Sequence, residues 1–340
     1  MIELSKGLDI VGFGPIGREL ARRLASEREL AGEFSVVSIA DSSGSIYPKN
    51  RNEVLKAVDW KTSGHKLSEL NFGKATKNSS IFIDLTNSDY KKAEEAKKRA
   101  LSALRADKHF VSASKVSLSN YFSEIVSYAK KRKLEIGYGA TICGGRHAIS
   151  VAKNIEKGEI QSVSAVLNAS TTMILSMLEE NHDISFADAC KKASEAGVLE
   201  SDWSIDLDGI DAAAKTVILG NVLFPRSKFA LRDVSIQGIQ DEKAQLLIND
   251  SRADANRRVR LVSEITKDHV SVAPKAIPIE SPLAVSGRFN VVLFNTKTLG
   301  EISVRSLGGG VALTASVVIS DLKMELWCSS LNLIVGQYHS

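Results

Sequence analysis

This 340-residue sequence has few cysteines, no long apolar run and no large excess of either charge. Its three cysteines are scattered without metal-ligand spacing, which is typical of reduced intracellular thiols. No apolar run approaches the roughly 18 residues of a membrane span, and the first residues lack the apolar core of a signal peptide. We therefore expect a cytoplasmic protein.

The charge balance also argues against nucleic acid as a partner. The net charge is +4, and the basic residues between positions 91 and 99 are interleaved with Glu94 and Glu95. This pattern is typical of a solvated helix face. Charged residues make up 25% of the chain and apolar residues 44%, as in a soluble globular protein, and the length predicts two domains.

The densest cluster of charge lies in residues 197–215, where five carboxylates and a lysine surround a glycine turn at Gly209. The apolar run 210–223 predicts a helix that places Asp211 and Lys215 four residues apart on one face. Proton transfer or oxyanion stabilisation uses such a carboxylate and ammonium in a cleft. The alternatives are a surface ion pair of about 0.3–0.5 kcal/mol and a calcium loop, which lacks its twelfth-position glutamate.

A second pattern lies near the amino terminus, where a short β-like run leads into the sequence GFGPIG at residues 12–17. In a strand, glycine turn and helix, the first glycine allows a tight bend, the second lets a pyrophosphate approach and the third lets helix pack on strand. The next predicted strand, 34–40, ends in Asp41, at about the spacing expected for the acid that binds a ribose hydroxyl. The predicted dinucleotide site comprises Gly12, Gly14, Pro15, Ile16, Gly17 and Asp41. A glycine turn that serves packing alone is the alternative.

Cofactor choice is only partly encoded in this pattern. Asp41 favours the ribose of NAD and would repel the 2′-phosphate of NADP. Three cations downstream, Lys49, Arg51 and Lys56, could reverse that preference. Both NAD and NADP therefore remain open.

Two later predicted strands extend the same sheet. Residues 81–85 end at Thr86, and residues 109–113 end at Ser114 and Lys115. In an open parallel sheet the carboxyl ends of the strands border the ligand crevice, so we expect these three side chains at the cofactor site. An ordinary solvated lysine is the alternative interpretation of Lys115.

The remaining patterns predict an α/β protein with two domains. We expect a Rossmann-type doubly wound parallel sheet in residues 1–137, completed by 306–340, where an apolar helix begins near residue 314. Residues 138–305 are expected to form an α+β domain for substrate binding and dimerisation, with a mixed sheet and helices on one face. Its predicted strands are 160–167, 234–236, 270–272, 289–294 and 302–304, and its further helices are 147–154, 171–180 and 185–197.

Residues 8–322 resemble the homoserine dehydrogenase family. The family's signature is similar to the pattern formed by Gly197, Glu200, Asp202, Asp206, Gly209, Asp211 and Lys215, and segments 84–86, 109–115, 168–171 and 308–315 resemble its other site segments. The resemblance implies an NAD(P)-dependent oxidoreductase of threonine and methionine biosynthesis. It would interconvert L-aspartate 4-semialdehyde and L-homoserine by hydride transfer.

The resemblance also implies roles for individual residues. Lys115 and Lys215 would stabilise or protonate the substrate oxygen, with Asp211 orienting substrate and lysine. Glu200 would accept the substrate's α-ammonium group, supported by Asp206. The substrate-facing turn would contribute Asn168, Ser170 and Thr171, and the glycine-rich segment before the last helix would bring Gly309 to the cofactor.

Several positions depart from the family pattern. Gly139 stands where the family often carries a glutamate near a monovalent-cation site, so that site is either missing or made of backbone carbonyls only, and any metal is unknown. Cys143, His147, Val198 and Trp203 change the expected shape of the substrate pocket. We do not expect feedback control through an appended regulatory domain. A homodimer is expected, because sheet-bearing domains with exposed edges often dimerise.

Three other functions are left open by the residues. An acylating semialdehyde dehydrogenase would need a nucleophile such as Cys143. A non-catalytic dinucleotide sensor would have little use for Lys115, Asp211 and Lys215. A related amino-acid dehydrogenase on the same scaffold would differ only in its substrate.

Overall fold

The structure, a computed structural model, describes residues 5–73, 78–142, 146–156, 158–199, 202–252 and 254–335. The chain divides into two compact units. The first comprises Met1–Ser117, Glu124–Thr141 and Val311–Ser340, and the second comprises Leu118–Ser123 and Ile142–Gly310. Within the described ranges, no helix has both the length and the apolarity needed to cross a membrane.

The first unit is built on one six-stranded sheet. Its strands are β1 (Lys6–Val11), β2 (Phe34–Asp41), β3 (Gly44–Ile46), β4 (Ile81–Asp84), β5 (His109–Ser112) and β6 (Ile136–Gly137). They lie in the order β3-β2-β1-β4-β5-β6, parallel except for β3, which pairs antiparallel with β2 at one edge. This is the strand order of the doubly wound dinucleotide-binding fold. The Rossmann-type sheet expected from the sequence is confirmed.

Helices complete the first unit. They are α1 (Pro15–Ser26), α2 (Arg28–Glu33), α3 (Arg51–Thr62), α4 (Ala93–Arg105), α5 (Val116–Lys131) and α6 (Gly139–Ile142), with α13 (Val311–Val335) from the far end of the chain. Helix α13 packs against α1, β5 and β6 and contributes Val318 and Leu322 to the core around β1 and β4. The last helix therefore belongs to the same core as the first strand.

The second unit contains a mixed sheet, as the sequence predicted. Its strands are β7 (Ile160–Val166), β8 (Ser235–Ile236), β9 (Arg257–Ile265), β10 (Val270–Pro278), β11 (Phe289–Thr296) and β12 (Glu301–Leu307). They lie in the order β12-β11-β7-β9-β10-β8, with antiparallel pairs from β12 to β10 and a parallel pair between β10 and β8.

Six helices accompany this sheet in the described residues of the second unit. They are α7 (Arg146–Lys153), α8 (Ala169–Glu180), α9 (Phe186–Glu195), α10 (Ser204–Leu207), α11 (Ile210–Leu223) and α12 (Glu242–Arg252). Helices α8, α11 and α12 pack on β9, and α11 and α12 also pack on β10. The apolar faces of sheet and helices bury one another, which fixes α8 and α11 beside the strands.

Several details correct the sequence-based prediction. The helix expected after the first glycine turn is in fact two helices, because Glu27 adopts an extended conformation between α1 and α2. The sequence patterns did not predict β3, β9, α3, α5 or α12 at all. Strand β10 also continues six residues beyond the predicted end at Val272.

Candidate active site

Helix α11 positions the two charged residues that stand out in the sequence. It begins after Gly209, whose φ of +80° lies in the left-handed region that favours glycine, and it ends at Leu223 as predicted. Lys215 Nζ lies 2.6 Å from the carboxylate of Asp211, one turn earlier on the same face. Lys215 is only 9% exposed, so this is not the solvated surface pair of the alternative interpretation.

Hydrogen bonds extend this ion pair into a network. The amide Nδ2 of Asn168 donates to Asp211 Oδ2 at 3.0 Å and to Asp206 Oδ1 at 2.7 Å, and thereby holds two carboxylates together. Lys215 Nζ also donates to the carbonyl of Leu167 at 2.8 Å. An ammonium group has three N–H donors. Two are used here, and the third has no partner among the residues that the structure describes.

The start of helix α8 holds Asn168 in place. Asn168 caps the helix by accepting a hydrogen bond from the backbone N–H of Thr171 at 2.8 Å. Thr171 is fully buried and supports the cap, whereas Ser170 donates its hydroxyl proton to the carbonyl of Val198 at 2.9 Å. Of the predicted substrate-facing turn, Asn168 and Ser170 line a cavity, whereas Thr171 is not among its lining residues.

A cavity of about 100 Å³ adjoins this network, and all of its described lining residues belong to the second unit. The lining residues are Asn168, Ala169, Ser170, Gly197, Val198, Asp211, Lys215, Arg288, Asn290, Gly309 and Gly310. A water molecule in the liquid occupies about 30 Å³. The cavity therefore has room for a small polar molecule and not for a dinucleotide.

Two lining residues were missed by the sequence analysis. Arg288 precedes β11 and Asn290 lies in it, and neither belongs to a motif with recognisable spacing. Arg288 Nε and Asn290 Oδ1 are both buried without a hydrogen-bond partner in the described part of the chain. The fold alone brings them beside the glycine-rich segment at Gly309.

The glycine turn of the first unit has the shape expected for a dinucleotide. A Cβ atom at Gly12, where φ is +98°, would lie 2.4 Å from Leu85, and one at Gly17 would lie 2.2 Å from the carbonyl oxygen of Gly12. A Cβ at Gly14 would meet no atom within 4 Å. The first and third glycines thus allow tight packing, while the second faces open space at the start of α1, where a pyrophosphate can approach. These residues fit the cofactor.

The strand ends around this turn also carry the predicted residues. The backbone N–H and the hydroxyl of Thr86 donate to Asp84 Oδ1 at 3.0 and 2.7 Å, and these hydrogen bonds hold the turn against which Gly12 packs. Ser114 is 1% exposed, and its hydroxyl is buried without a partner in the described residues. Lys115 lies directly before α5, and its backbone N–H donates to Ser88 at 3.3 Å.

The acid at the end of β2 has a cationic partner that was not predicted. Lys61 Nζ, on α3, lies 2.6 Å from Asp41 Oδ2. The sequence analysis named Lys49, Arg51 and Lys56 as cations that could offset the preference of Asp41 for NAD, and not Lys61. Burial alone would raise the pKa of the Asp41 carboxyl, but hydrogen bonds from Lys61 and Ser43 outweigh it and hold that pKa below its usual value. Asp41 is therefore an ionised carboxylate beside an ammonium group.

Some predicted residues lie outside the described parts of the chain. Glu200 and Cys143 are among them, so their surroundings are not described.

Cys190 is buried, and burial raises the pKa of its thiol to about 11, which leaves it protonated at neutral pH. The described residues contain no group of three or more His, Cys, Asp or Glu side chains suited to a metal ion.

Both halves of the chain match known sequence families. The family model for homoserine dehydrogenase matches residues 148–322, and the model for the NAD-binding domain of homoserine dehydrogenase matches residues 12–138. Homoserine dehydrogenases of Methanocaldococcus jannaschii and Pyrococcus horikoshii are 32% and 33% identical to this chain. Those two alignments cover 92% and 93% of this chain and 96% and 95% of the relatives.

Known structures and cofactor usage point the same way. A hyperthermophilic archaeal homoserine dehydrogenase in complex with NADPH superposes with a TM-score of 0.78 at 30% identity, covering 95% of this chain and 98% of its own. An NAD(+)-dependent homoserine dehydrogenase of Pseudomonas canavaninivorans is 26% identical, with 93% of this chain and 94% of its own covered. Relatives of this chain thus include one solved with NADPH and one named for NAD.

Proposed function

We propose that this chain, which belongs to the homoserine dehydrogenase family, oxidises the hydroxyl group of L-homoserine to the aldehyde of L-aspartate 4-semialdehyde and catalyses the reverse reduction. It is an NAD(P)-dependent oxidoreductase. In the oxidation, C4 of the substrate gives up a hydride to NAD(P)+, and the proton of the hydroxyl group is released to solvent water. The observation that carries the proposal is the largely buried Asp211–Lys215 pair beside a cavity of small-molecule size.

We assign the substrate to this cavity of the second unit. The free third N–H of Lys215 donates to the substrate oxygen and stabilises the negative charge that develops there during hydride transfer. Asp211 fixes the position of the ammonium group, and Asn168 fixes Asp211 and Asp206 in turn. Because these groups are largely buried, their electrostatic interactions are stronger than they would be in water.

We assign the cofactor to the glycine turn of the first unit. Bound NAD(P) supplies the nicotinamide that accepts or donates the hydride. The start of α1 at Gly14 and Pro15 holds the pyrophosphate, and Asp41 holds a ribose hydroxyl. The turn residues Thr86, Ser114 and Gly309 are assigned to the same cofactor from the sequence pattern and the family resemblance.

Two further roles rest on the family resemblance. Lys115, in the first unit, is assigned as a second amine that acts on the substrate oxygen. Glu200 is assigned as the acceptor of the substrate's α-ammonium group. A carboxylate in that role would favour an amino acid over a neutral alcohol, because an ammonium group pairs with it.

The assay that tests this function follows absorbance at 340 nm during oxidation of L-homoserine with NAD+ and with NADP+. We expect L-homoserine-dependent formation of NADH or NADPH, and the reverse signal with aspartate 4-semialdehyde. Tight cofactor binding without turnover of either substrate would contradict the proposal and favour a dinucleotide sensor. Faster turnover of another amino alcohol in a substrate panel would favour a neighbouring dehydrogenase.

Cofactor preference is expected to depend on the Asp41–Lys61 pair. The carboxylate disfavours a 2′-phosphate, whereas Lys61 would attract one once Asp41 is removed. We expect the unmodified chain to prefer NAD+. Asp41→Ala should raise the ratio of kcat/KM for NADP+ over NAD+ by roughly 10-fold, a change of about 1.4 kcal/mol. The matched control is Asp59→Ala, because Asp59 is an exposed acid on the same helix as Lys61. An equal change of the kcat/KM ratio in both variants would rule out a role of Asp41 in cofactor preference.

A homodimer through the second unit is also proposed. The edge strand β12 ends at Leu307, which is half exposed, and Leu299 just before it is 59% exposed. Exposed apolar residues along an unpaired sheet edge are typical of an association surface. A two-fold interface would use the same surface of both copies.

A further inference from the structure

We infer that Arg288 binds the α-carboxylate of the substrate and so makes the cavity selective for amino acids. The inference rests on the proposed function, because it assigns a part of the same substrate that no other residue has been given. L-homoserine and aspartate 4-semialdehyde both carry a carboxylate. A site that orients the hydroxyl or aldehyde end also needs a group that recognises this anion.

The guanidinium of Arg288 lies against two glycines of the cavity wall. A Cβ atom at Gly309 would lie 3.7 Å from Arg288 Nη2, and a Cβ atom at Gly310 would lie 3.2 Å from it. Both glycines have φ in the left-handed region, at +70° and +98°. The missing side chains leave room beside the guanidinium, on the same cavity that Lys215 lines.

Arg288 has no anionic partner in the described part of the chain. Its Nε atom is buried there without a hydrogen-bond acceptor, and no described carboxylate pairs with it. A buried N–H donor without an acceptor is costly. Its planar fork of N–H donors matches a carboxylate in a bidentate arrangement. Arg305, by contrast, lies over the ring of Phe289, 3.9 Å from the ring centre.

The start of helix α8 adds a second feature that favours an anion. Asn168, the N-cap of α8, and the first helical residues Ala169 and Ser170 line the cavity. Backbone N–H groups in the first turn of a helix lack intrahelical partners, and this end of the helix carries partial positive charge. Asp211, the one carboxylate among the described lining residues, is already paired with Lys215. The charge left over among these described residues is therefore positive.

The test compares L-homoserine with 3-aminopropan-1-ol, which is the same molecule without its carboxylate. For the unmodified enzyme we expect kcat/KM to be much lower for the amino alcohol. Arg288→Ala should raise KM for L-homoserine by about 10- to 100-fold and leave the KM of the cofactor within 2-fold. The same variant should change kcat/KM for 3-aminopropan-1-ol little, because that molecule has no group for Arg288 to bind.

Two further variants serve as controls. Arg288→Lys should raise the KM for L-homoserine less than Arg288→Ala does, because it keeps the charge but loses the bidentate geometry. Arg305→Ala should leave the preference for L-homoserine unchanged. A rise in the cofactor KM of Arg288→Ala would show instead that the arginine binds a cofactor phosphate. An equal loss of kcat/KM with both substrates would show a structural role. Either result overturns the inference. A lack of homoserine turnover by the unmodified enzyme would instead refute the proposed function itself.

Discussion

Lys215→Ala is expected to lower kcat for L-homoserine oxidation by about 10²- to 10⁴-fold, the usual contribution of a group that transfers a proton or stabilises charge. The substitution removes the N–H donor that we assign to the substrate oxygen. It leaves the glycine turn at Gly12 and the acid Asp41 of the first unit unchanged. Cofactor affinity should therefore stay within 2-fold, and the loss should appear in the chemical step.

Steady-state assays and a fluorescence titration with NADH separate these two effects. Lys243→Ala, an exposed lysine on α12 of the same unit, is the matched control and should keep full activity. Circular dichroism of both variants checks that they are folded. A kcat of Lys215→Ala within 3-fold of the unmodified enzyme would show that this ammonium group takes no part in the chemistry.

Glu179→Ala is expected to have the largest effect on stability, lowering the free energy of unfolding by roughly 3–5 kcal/mol. Glu179, on α8, pairs with Arg260 of β9 through two contacts, at 2.7 and 3.1 Å. Arg260 is fully buried. Removing the carboxylate leaves an unpaired guanidinium in the interior, and this is more costly than the loss of the contact itself.

This cluster also supports the candidate active site. Arg260 donates to the carbonyl of Val285 and to the hydroxyl of Ser286, and the N–H of Gly287 donates to Ser176 of α8 at 3.1 Å. The segment held in this way leads directly to Arg288. Loss of the cluster should therefore raise the KM for L-homoserine as well as destabilise the second unit.

Urea unfolding monitored by circular dichroism measures the effect. Glu180→Ala is the matched control, because the next residue of the same helix is exposed. We expect its unfolding midpoint to be nearly unchanged. A double variant, Glu179→Leu with Arg260→Met, should recover much of the loss, since two apolar groups leave no buried charge. If Glu179→Ala and Glu180→Ala unfolded at the same urea concentration, the buried pair would not contribute as described.

The parts of the fold that depend on local patterns were predictable. Helix α11 has the predicted bounds, because the turn at Gly209 and Pro225 set its ends. The contact between Asp211 and Lys215 follows from helical geometry alone once the helix is known. The strand and glycine turn at Gly12 were predictable because they too follow from a local sequence pattern.

Contacts between distant residues could not be predicted in this way. Strand β9 was missed because arginines interrupt its apolar pattern, and Arg260 is buried only because Glu179, 81 residues earlier, neutralises it. The bridge from Asn168 to Asp206 and the pairing of Lys61 with Asp41 likewise join residues from different elements. No local periodicity encodes such pairs, since tertiary packing creates them.

The most direct test of the central claim is a crystal structure of the full chain, determined with L-homoserine bound. We predict electron density for the substrate in the cavity, with its hydroxyl oxygen within hydrogen-bond distance of Lys215 Nζ and its carboxylate beside Arg288. L-homoserine ordered at another site, with this cavity empty at a saturating concentration that supports turnover, would contradict the account.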